Sequence, residues 1–110
     1  MKDLFEYYVE GETEERCGFA LNDGQVIELS NIAEDKAAGF EIDPRDTLRY
    51  IDDMSGIWHT HPNKTSVLSG QDKQCFEQWP DVDHFVIGND GIRKYRVMEG
   101  VVVNANHIPR

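Results

Sequence analysis

The chain has 110 residues, which is long enough for one hydrophobic core and too short for two. Its formal net charge of -10, from 21 acidic and 11 basic residues, opposes binding to the phosphates of a nucleic acid. No unbroken apolar run approaches the roughly 20 residues of a membrane span, and residues 1–12 lack the features of a secretory signal. We therefore predict one domain over residues 1–110, in the cytoplasm, with no nucleic-acid or membrane partner.

The first part of the chain predicts short helices and a hairpin. Apolar and tyrosine residues at spacings of one to four predict an amphipathic helix over residues 3–9. Thr13 is a candidate N-cap for a second short helix or turn over residues 14–21. The turn Asn-Asp-Gly at residues 22–24 precedes a stretch rich in valine and isoleucine, which predicts a strand over residues 25–29.

The middle of the chain predicts one helix between two strands. Residues 40–42 alternate like a short strand, and Asp43 followed by proline is typical of a helix start. We expect that helix to cover residues 44–53 and to be stopped by the serine and glycine at residues 55–56. Residues 57–60, Ile-Trp-His-Thr, then predict a strand that leads into an exposed loop.

The last part predicts a capped helix and a hairpin. Ser69 is a candidate N-cap for a helix over residues 69–78, which the following proline closes. Residues 84–87 and 92–98 flank a turn rich in glycine and asparagine and predict antiparallel strands, while residues 101–103 predict an edge strand. The whole pattern predicts an α+β domain in which helices flank a mixed or antiparallel sheet.

Two histidines and an aspartate form the pattern that carries chemistry. Side chains two apart on a strand share a face, so His59 and His61 can offer their imidazoles to one metal ion. Asp72 lies one helical turn after Ser69, so its carboxylate can supply a third ligand. Two imidazoles and one carboxylate leave the fourth position of a tetrahedral zinc ion open for water, which is the arrangement of a catalytic site.

Hydrolysis of an amide also needs a group that takes a proton and returns it to the leaving nitrogen. Glu15 is the preferred candidate because a small residue at Gly18 would let this segment pack closely against the strand that carries the histidines. Glu14 is the rival candidate for the same role. Ser69, at the start of a helix beside Asp72, is placed to donate a hydrogen bond to a developing oxyanion.

The remaining histidines and cysteines predict no second site. His84 and His107 have no partner at ligand spacing, and both are interpreted as structural or exposed. Cys17 and Cys75 are far apart in a chain without export signals, which predicts two reduced thiols rather than a disulfide. The chain has no Cys-x-x-Cys pair, which a zinc deaminase would need.

The histidine pattern resembles a known family. The sequence HTHP at residues 59–62, with Ser69 and Asp72, matches the H-x-H-P-x6-S-x-x-D motif of the JAB/JAMM metallopeptidases, also called MPN+. This resemblance implies a cytidine-deaminase-like α+β fold. It also implies that the two histidines and Asp72 bind Zn²⁺, that Glu15 is the catalytic base and that Ser69 assists the transition state.

Flanking phrases are similar to the JAB domain of phage tail assembly proteins of the K type. They lie at residues 15–19, 31–35, 40–44 and 79–80. The resemblance implies a zinc metallopeptidase that cleaves a peptide or isopeptide bond in phage tail assembly or in the processing of ubiquitin-like modifiers. Its partner would be a protein or peptide, in the host cytoplasm or the virion tail if the chain is phage-derived. A non-catalytic, zinc-binding module for tail assembly or protein interaction is the alternative.

Overall fold

A computed structural model of the chain describes residues 4–109. Its helices and strands, in chain order, are a 3-10 helix (Leu4–Tyr7), β1 (Cys17–Leu21), β2 (Val26–Leu29), α1 (Pro44–Tyr50), β3 (Met54–Thr60), α2 (Gly70–Gln78), β4 (Asp83–Gly88), β5 (Gly91–Met98) and β6 (Val101–Pro109). The strands form one sheet in the order β2-β1-β3-β4-β5-β6, and every neighbouring pair is antiparallel except β3 and β4. The predicted α+β class with a mixed sheet is confirmed. None of the helices within residues 4–109 is long and apolar enough to cross a membrane.

The N-terminal region differs most from the sequence prediction. The helix expected over residues 3–9 is a single 3-10 turn, Leu4–Tyr7, and residue 3 lies outside the described part. The helix expected over residues 14–21 is wrong, because Cys17–Leu21 is strand β1, which pairs with β2 on one side and β3 on the other. The hairpin expected around the turn at residues 22–24 is confirmed by the antiparallel pairing of β1 with β2. A strand with neighbours on both sides and both faces covered has a continuous apolar run, which local periodicity cannot distinguish from a helix.

The predicted α1 helix begins as expected and ends early. The Asp43 side chain accepts a hydrogen bond from the backbone of Arg45 and caps the helix, which closes at Tyr50. The predicted stop at residues 55–56 is wrong, since both residues belong to β3. The strand predicted over residues 40–42 is reduced to one isolated bridge with Asn31.

The C-terminal half follows the prediction closely up to its last strand. Ser69 caps α2, and strands β4 and β5 cover the predicted hairpin with slightly wider bounds. The edge strand expected over residues 101–103 continues to Pro109. Its later residues are mostly exposed and do not alternate between apolar and polar, which an edge strand that faces solvent does not need.

Strand β3 lies in the interior of the sheet and directs alternate side chains to opposite faces. Trp58 faces the N-terminal segment, where its ring contacts that of Tyr7 with centroids 4.3 Å apart. His59 faces the helical side, with its ring centroid 6.4 Å from that of Phe76 on α2. The histidine at the end of β3 therefore lies on the same side of the sheet as α2, which carries the predicted aspartate.

Gly18 allows β1 to approach its neighbours. A Cβ atom at this position would lie 1.9 Å from the carbonyl oxygen of Ile27 and 2.7 Å from the Trp58 ring. The sequence prediction that a small residue is needed here is confirmed. Any side chain at Gly18 would separate β1 from the strand that carries the histidines.

Candidate metal centre

Three of the predicted site residues converge beyond the end of β3. The Nε2 atoms of His59 and His61 lie 3.1 Å apart. Asp72 places Oδ1 3.0 Å from the His59 Nε2 and Oδ2 3.0 Å from the His61 Nε2. All three residues are buried, with 1%, 7% and 5% of their surface exposed. The carboxylate of Asp72 therefore faces both imidazoles inside a largely dry pocket.

Backbone contacts fix the orientation of His61. Its N–H donates to the carbonyl of Ile87 on β4 at 2.8 Å, which extends the pairing of β3 and β4 by one residue. Its ring Nδ1 lies 3.0 Å from the carbonyl oxygen of Thr65. A carbonyl can only accept, so Nδ1 carries the proton and Nε2 presents a lone pair to the site.

A capping box fixes Asp72 at the start of α2. Its backbone N–H donates to the Ser69 Oγ at 3.1 Å, and its Oδ2 accepts from the Ser69 backbone N–H at 2.9 Å. The same carboxylate thus closes the helix end and faces the histidines. The Ser69 side chain is exposed, and because its Oγ acts as acceptor in the cap, its hydroxyl hydrogen can still donate outward.

Glu15, which precedes β1, completes the cluster. The backbone N–H of its neighbour Arg16 donates to the Thr60 Oγ1 at 2.8 Å. The backbone N–H of Thr60 donates in return to the Arg16 carbonyl at 2.9 Å. Glu15 is 8% exposed, and one of its carboxylate oxygens lies within 4.8 Å of a ring nitrogen of His59 and of His61. Within residues 4–109 its Oε1 has no hydrogen-bond partner. The side chain of Glu14 is exposed, so the structure places Glu15 beside the histidines and not Glu14.

Burial and charge move the pKa values of the cluster in different directions. Burial raises the pKa of Glu15 above its usual value. Burial would also raise the pKa of Asp72, but hydrogen bonds with His59 and His61 outweigh it and hold that pKa far below its usual value. Burial opposes protonation of His61, yet the hydrogen bond and negative charge of Asp72 prevail and raise its pKa. Asp72 is therefore ionised, and Glu15 is the carboxylate that protonates more easily.

The cluster fits a divalent cation. The Nε2 of His61 lies 3.0 Å from the ionised Asp72 carboxylate, and this contact is repulsive unless a proton or a metal ion lies between the two atoms. Ligand atoms around a tetrahedral zinc ion with bonds of about 2.0 Å are about 3.3 Å apart, close to the separations seen here. Imidazole nitrogen and carboxylate oxygen are ligand types that zinc accepts.

Two carboxylates compete for the third ligand position. Glu15, His59 and His61 form a group whose ligand atoms lie within 4.8 Å of one another. Asp72 places a carboxylate oxygen 3.0 Å from each histidine, and its orientation is fixed by the helix cap. The carboxylates of Asp72 and Glu15 are therefore both placed to reach an ion held by the two histidines.

Several residues around the site were not predicted from the sequence. Phe40 stacks on the His59 ring with centroids 4.6 Å apart, and Thr65 supplies the carbonyl that orients His61. A Cβ atom at Gly88 would lie 2.3 Å from the backbone nitrogen of Ser66, so only glycine lets β4 approach the loop that holds Thr65. In the sequence, Gly88 is part of the predicted turn between β4 and β5. That pattern does not predict its contact with the loop.

The other histidines and cysteines lie outside the cluster. His84 is fully buried, stacks on Phe76 at 4.3 Å and has its Nε2 2.8 Å from the Trp79 carbonyl oxygen. Burial lowers the pKa of His84, which favours the neutral ring. His107 is on β6 with its Nε2 3.2 Å from the Asp90 carbonyl. The cysteines are both free, as predicted.

No family model matches the chain. The chain is similar to a desampylase of Haloferax volcanii, with 29% identity over an alignment of 70 residues, and the match covers 57% of this chain and 50% of that protein. The matched segment therefore spans half the length of this curated relative. The solution structure of a protein from Desulfitobacterium hafniense has a TM-score of 0.73 and 20% identity, and the match covers 97% of this chain and 86% of that one.

These similarities support the sequence interpretation at a coarse level. The structural match shows that the fold occurs in another protein. At 20% identity it gives no information about function. The desampylase similarity supports a relationship at the level of the JAB/MPN resemblance and no finer one. Neither similarity supports the resemblance to phage tail assembly proteins.

Proposed function

We propose that the chain is a zinc metallopeptidase of the JAB/JAMM type, with a cytidine-deaminase-like fold, that hydrolyses a peptide or isopeptide bond. The observation that carries the proposal is the convergence of His59, His61 and Asp72 at 3.0–3.1 Å with the buried Glu15 beside them. A metal that only stabilised the fold would not need a buried carboxylate beside it with one oxygen, Oε1, that has no hydrogen-bond partner among the described residues. The similarity to a desampylase supports the same activity.

Each residue has a distinct task in this proposal. His59, His61 and Asp72 would hold Zn²⁺, which when bound acts as a Lewis acid that polarises a carbonyl and acidifies water. Glu15 accepts the proton of the attacking water and delivers it to the leaving nitrogen, and its raised pKa brings it closer to neutral pH, where proton transfer in both directions is efficient. The Ser69 hydroxyl donates a hydrogen bond to the oxyanion of the attacked carbonyl.

We propose a protein substrate in which the scissile bond lies in an extended segment. The cleft beside the cluster measures about 270 Å³ and is lined by residues that include Glu15, His61, Lys64, Val67 and Ser69. Such a cleft accommodates a few residues of chain and not a folded domain. The desampylase similarity favours processing of a ubiquitin-like modifier, whereas phage tail assembly rests on flanking sequence phrases alone. In either setting we propose a cytoplasmic site of action.

Metal analysis tests the ligand set. Wild-type protein purified without a histidine tag should contain one zinc ion per chain after mild dialysis, because three buried ligand side chains converge on one point. His59→Ala and Asp72→Ala should each retain far less zinc in the same measurement, whereas His107→Ala should match the wild type. A wild type that holds no metal even when zinc is supplied would remove the hydrolase and favour an assembly module without metal.

Zinc affinity should depend on pH. The pKa of His61 is raised above its usual 6.5, so acidification places a proton on the lone pair that would bind the metal. Between about pH 7.5 and about pH 5.5 the affinity should fall at least roughly tenfold, since one competing proton costs a factor of ten per pH unit below its pKa. Titration against a chelator of known affinity measures the change. An affinity that is constant over this range would show that the His61 imidazole does not bind the ion.

A further inference from the structure

The side-chain amide of Asn31 makes four hydrogen bonds. Its Nδ2 donates to the carbonyl oxygen of Glu15 at 3.0 Å and to that of Gly39 at 3.1 Å. Its Oδ1 accepts from the backbone N–H groups of Ala33 at 3.0 Å and Glu41 at 3.1 Å. These bonds use both donors and both acceptor positions of an amide, so the group is fully satisfied by backbone partners.

These bonds close the base of the segment over residues 33–41, here called the rim loop. Both of its ends bind the same Oδ1 atom, and the Ile32 N–H donates to the Glu41 carbonyl at 2.9 Å. Most of the rim loop is exposed, although Phe40 packs against the apolar core. A turn inside the loop has its own hydrogen bonds, from the Ala38 and Gly39 N–H groups to the Asp35 carbonyl, so the bonds at the base act mainly on the position of the loop.

The rim loop also binds the backbone of Glu15. The Glu15 N–H donates to the Lys36 carbonyl at 2.8 Å, and the Glu15 carbonyl accepts from Asn31. The backbone N–H and the backbone carbonyl of Glu15 are therefore both hydrogen-bonded to the rim loop and to Asn31, which closes the base of that loop. The next residue, Arg16, instead donates its backbone N–H to the side chain of Thr60 in β3.

The same loop borders the metal cluster. Phe40 stacks on His59 with ring centroids 4.6 Å apart, and Ala38 lines the cleft that contains Glu15, His61 and Ser69. A displacement of the rim loop would therefore move one wall of the cleft and the backbone of Glu15 together.

We propose that Asn31 is a positioning residue that holds the Glu15 carboxylate in register with His59 and His61 and sets the wall of the substrate cleft. This inference rests on the proposed role of Glu15 as base. The four hydrogen bonds of the Asn31 side chain all go to backbone groups, so it acts through the backbone of Glu15 and through the rim loop.

Amide hydrogen exchange followed by NMR tests the positional part without any substrate. Asn31→Ala removes the acceptor of the Ala33 and Glu41 amides and loosens the rim loop, whose Lys36 carbonyl accepts from the Glu15 amide. Exchange of all three amides should speed up roughly tenfold, which corresponds to the loss of about one hydrogen bond. Asn31→Asp keeps the acceptor but turns an oxygen instead of a donor toward the Glu15 and Gly39 carbonyls, so it should restore Ala33 and Glu41 and leave Glu15 fast. Asn22→Ala, at an exposed asparagine in the turn after β1, should leave all three amides at wild-type rates. Wild-type exchange at Glu15 in both Asn31 variants would overturn the proposal.

Zinc content and turnover test the functional part. Both Asn31 variants should bind one zinc ion per chain, and kcat on any substrate that the wild type cleaves should fall about 10- to 100-fold, as expected when a reacting group is displaced by about 1 Å. A drop confined to KM, or unchanged kcat, would overturn the positioning of Glu15. Should the alanine variant fail to fold, Asn31→Asp decides in the same way. If the wild type cleaves nothing, the proposed function fails while the exchange result still stands.

Discussion

Replacing Glu15 by glutamine should reduce the rate of hydrolysis by about 10²- to 10⁴-fold, which is the usual contribution of a positioned acid–base group. Glutamine has nearly the same shape as glutamate but cannot take up a proton at neutral pH. It should leave His59, His61 and Asp72 in place, so the variant should still bind one zinc ion per chain. The measurement is kcat on the cleaved substrate together with zinc content of the same preparation.

Glu14→Gln is the matched control for this experiment. Glu14 is the neighbouring residue with the same side chain, and it is exposed rather than buried. Its replacement should leave turnover and metal content unchanged. Full activity in Glu15→Gln would remove Glu15 from the mechanism, and loss of zinc in that variant would identify it as a metal ligand instead.

Gly18→Ala should be strongly destabilising. The added methyl group would lie 1.9 Å from the backbone oxygen of Ile27 and 2.7 Å from the ring of Trp58, and neither atom belongs to a flexible side chain that could move aside. Overpacking of this kind costs about 1–3 kcal/mol in well-packed cores, and a clash with backbone belongs at the upper end. Since a domain is stable by only about 5–15 kcal/mol, urea denaturation should show a clear shift of the midpoint.

Gly70→Ala provides the control for Gly18→Ala. Gly70 begins α2, and a Cβ atom there would meet nothing within 4 Å. Alanine at an open helical position should change stability by less than about 1 kcal/mol, in the favourable direction if at all. Equal unfolding midpoints for the two variants would show that β1 can shift away from Trp58 without cost.

The grouping of the candidate ligands in space could be predicted because it follows from local rules. His59 and His61 share a face through the two-residue period of a strand, and Asp72 lies one turn from the cap residue Ser69 in a helix whose start has a clear signature. Both rules depend on residues only a few positions apart. The roles of these residues in binding metal and in catalysis stay predictions.

Features that depend on distant pairing could not be predicted. Strand β1 has the apolar run of a helix as much as of a strand, and only its two neighbours in the sheet settle which it is. Asn31 holds the rim loop through hydrogen bonds, and Gly88 allows the loop after His61 to pack against β4. Both contacts exist only in the folded chain. Sequence reasoning classified Gly88 by its turn signal alone.

The division of the site between two parts of the sheet has an evolutionary consequence. His59, His61 and Asp72 belong to one continuous segment of strand, loop and helix. Glu15 instead lies just before β1, the strand that pairs with β3. Under the proposed roles, a single base change at codon 15 would remove the base and leave the segment that would hold the metal unaltered. Under the same proposal, an intact histidine motif alone would indicate metal binding, and hydrolysis would require Glu15 as well.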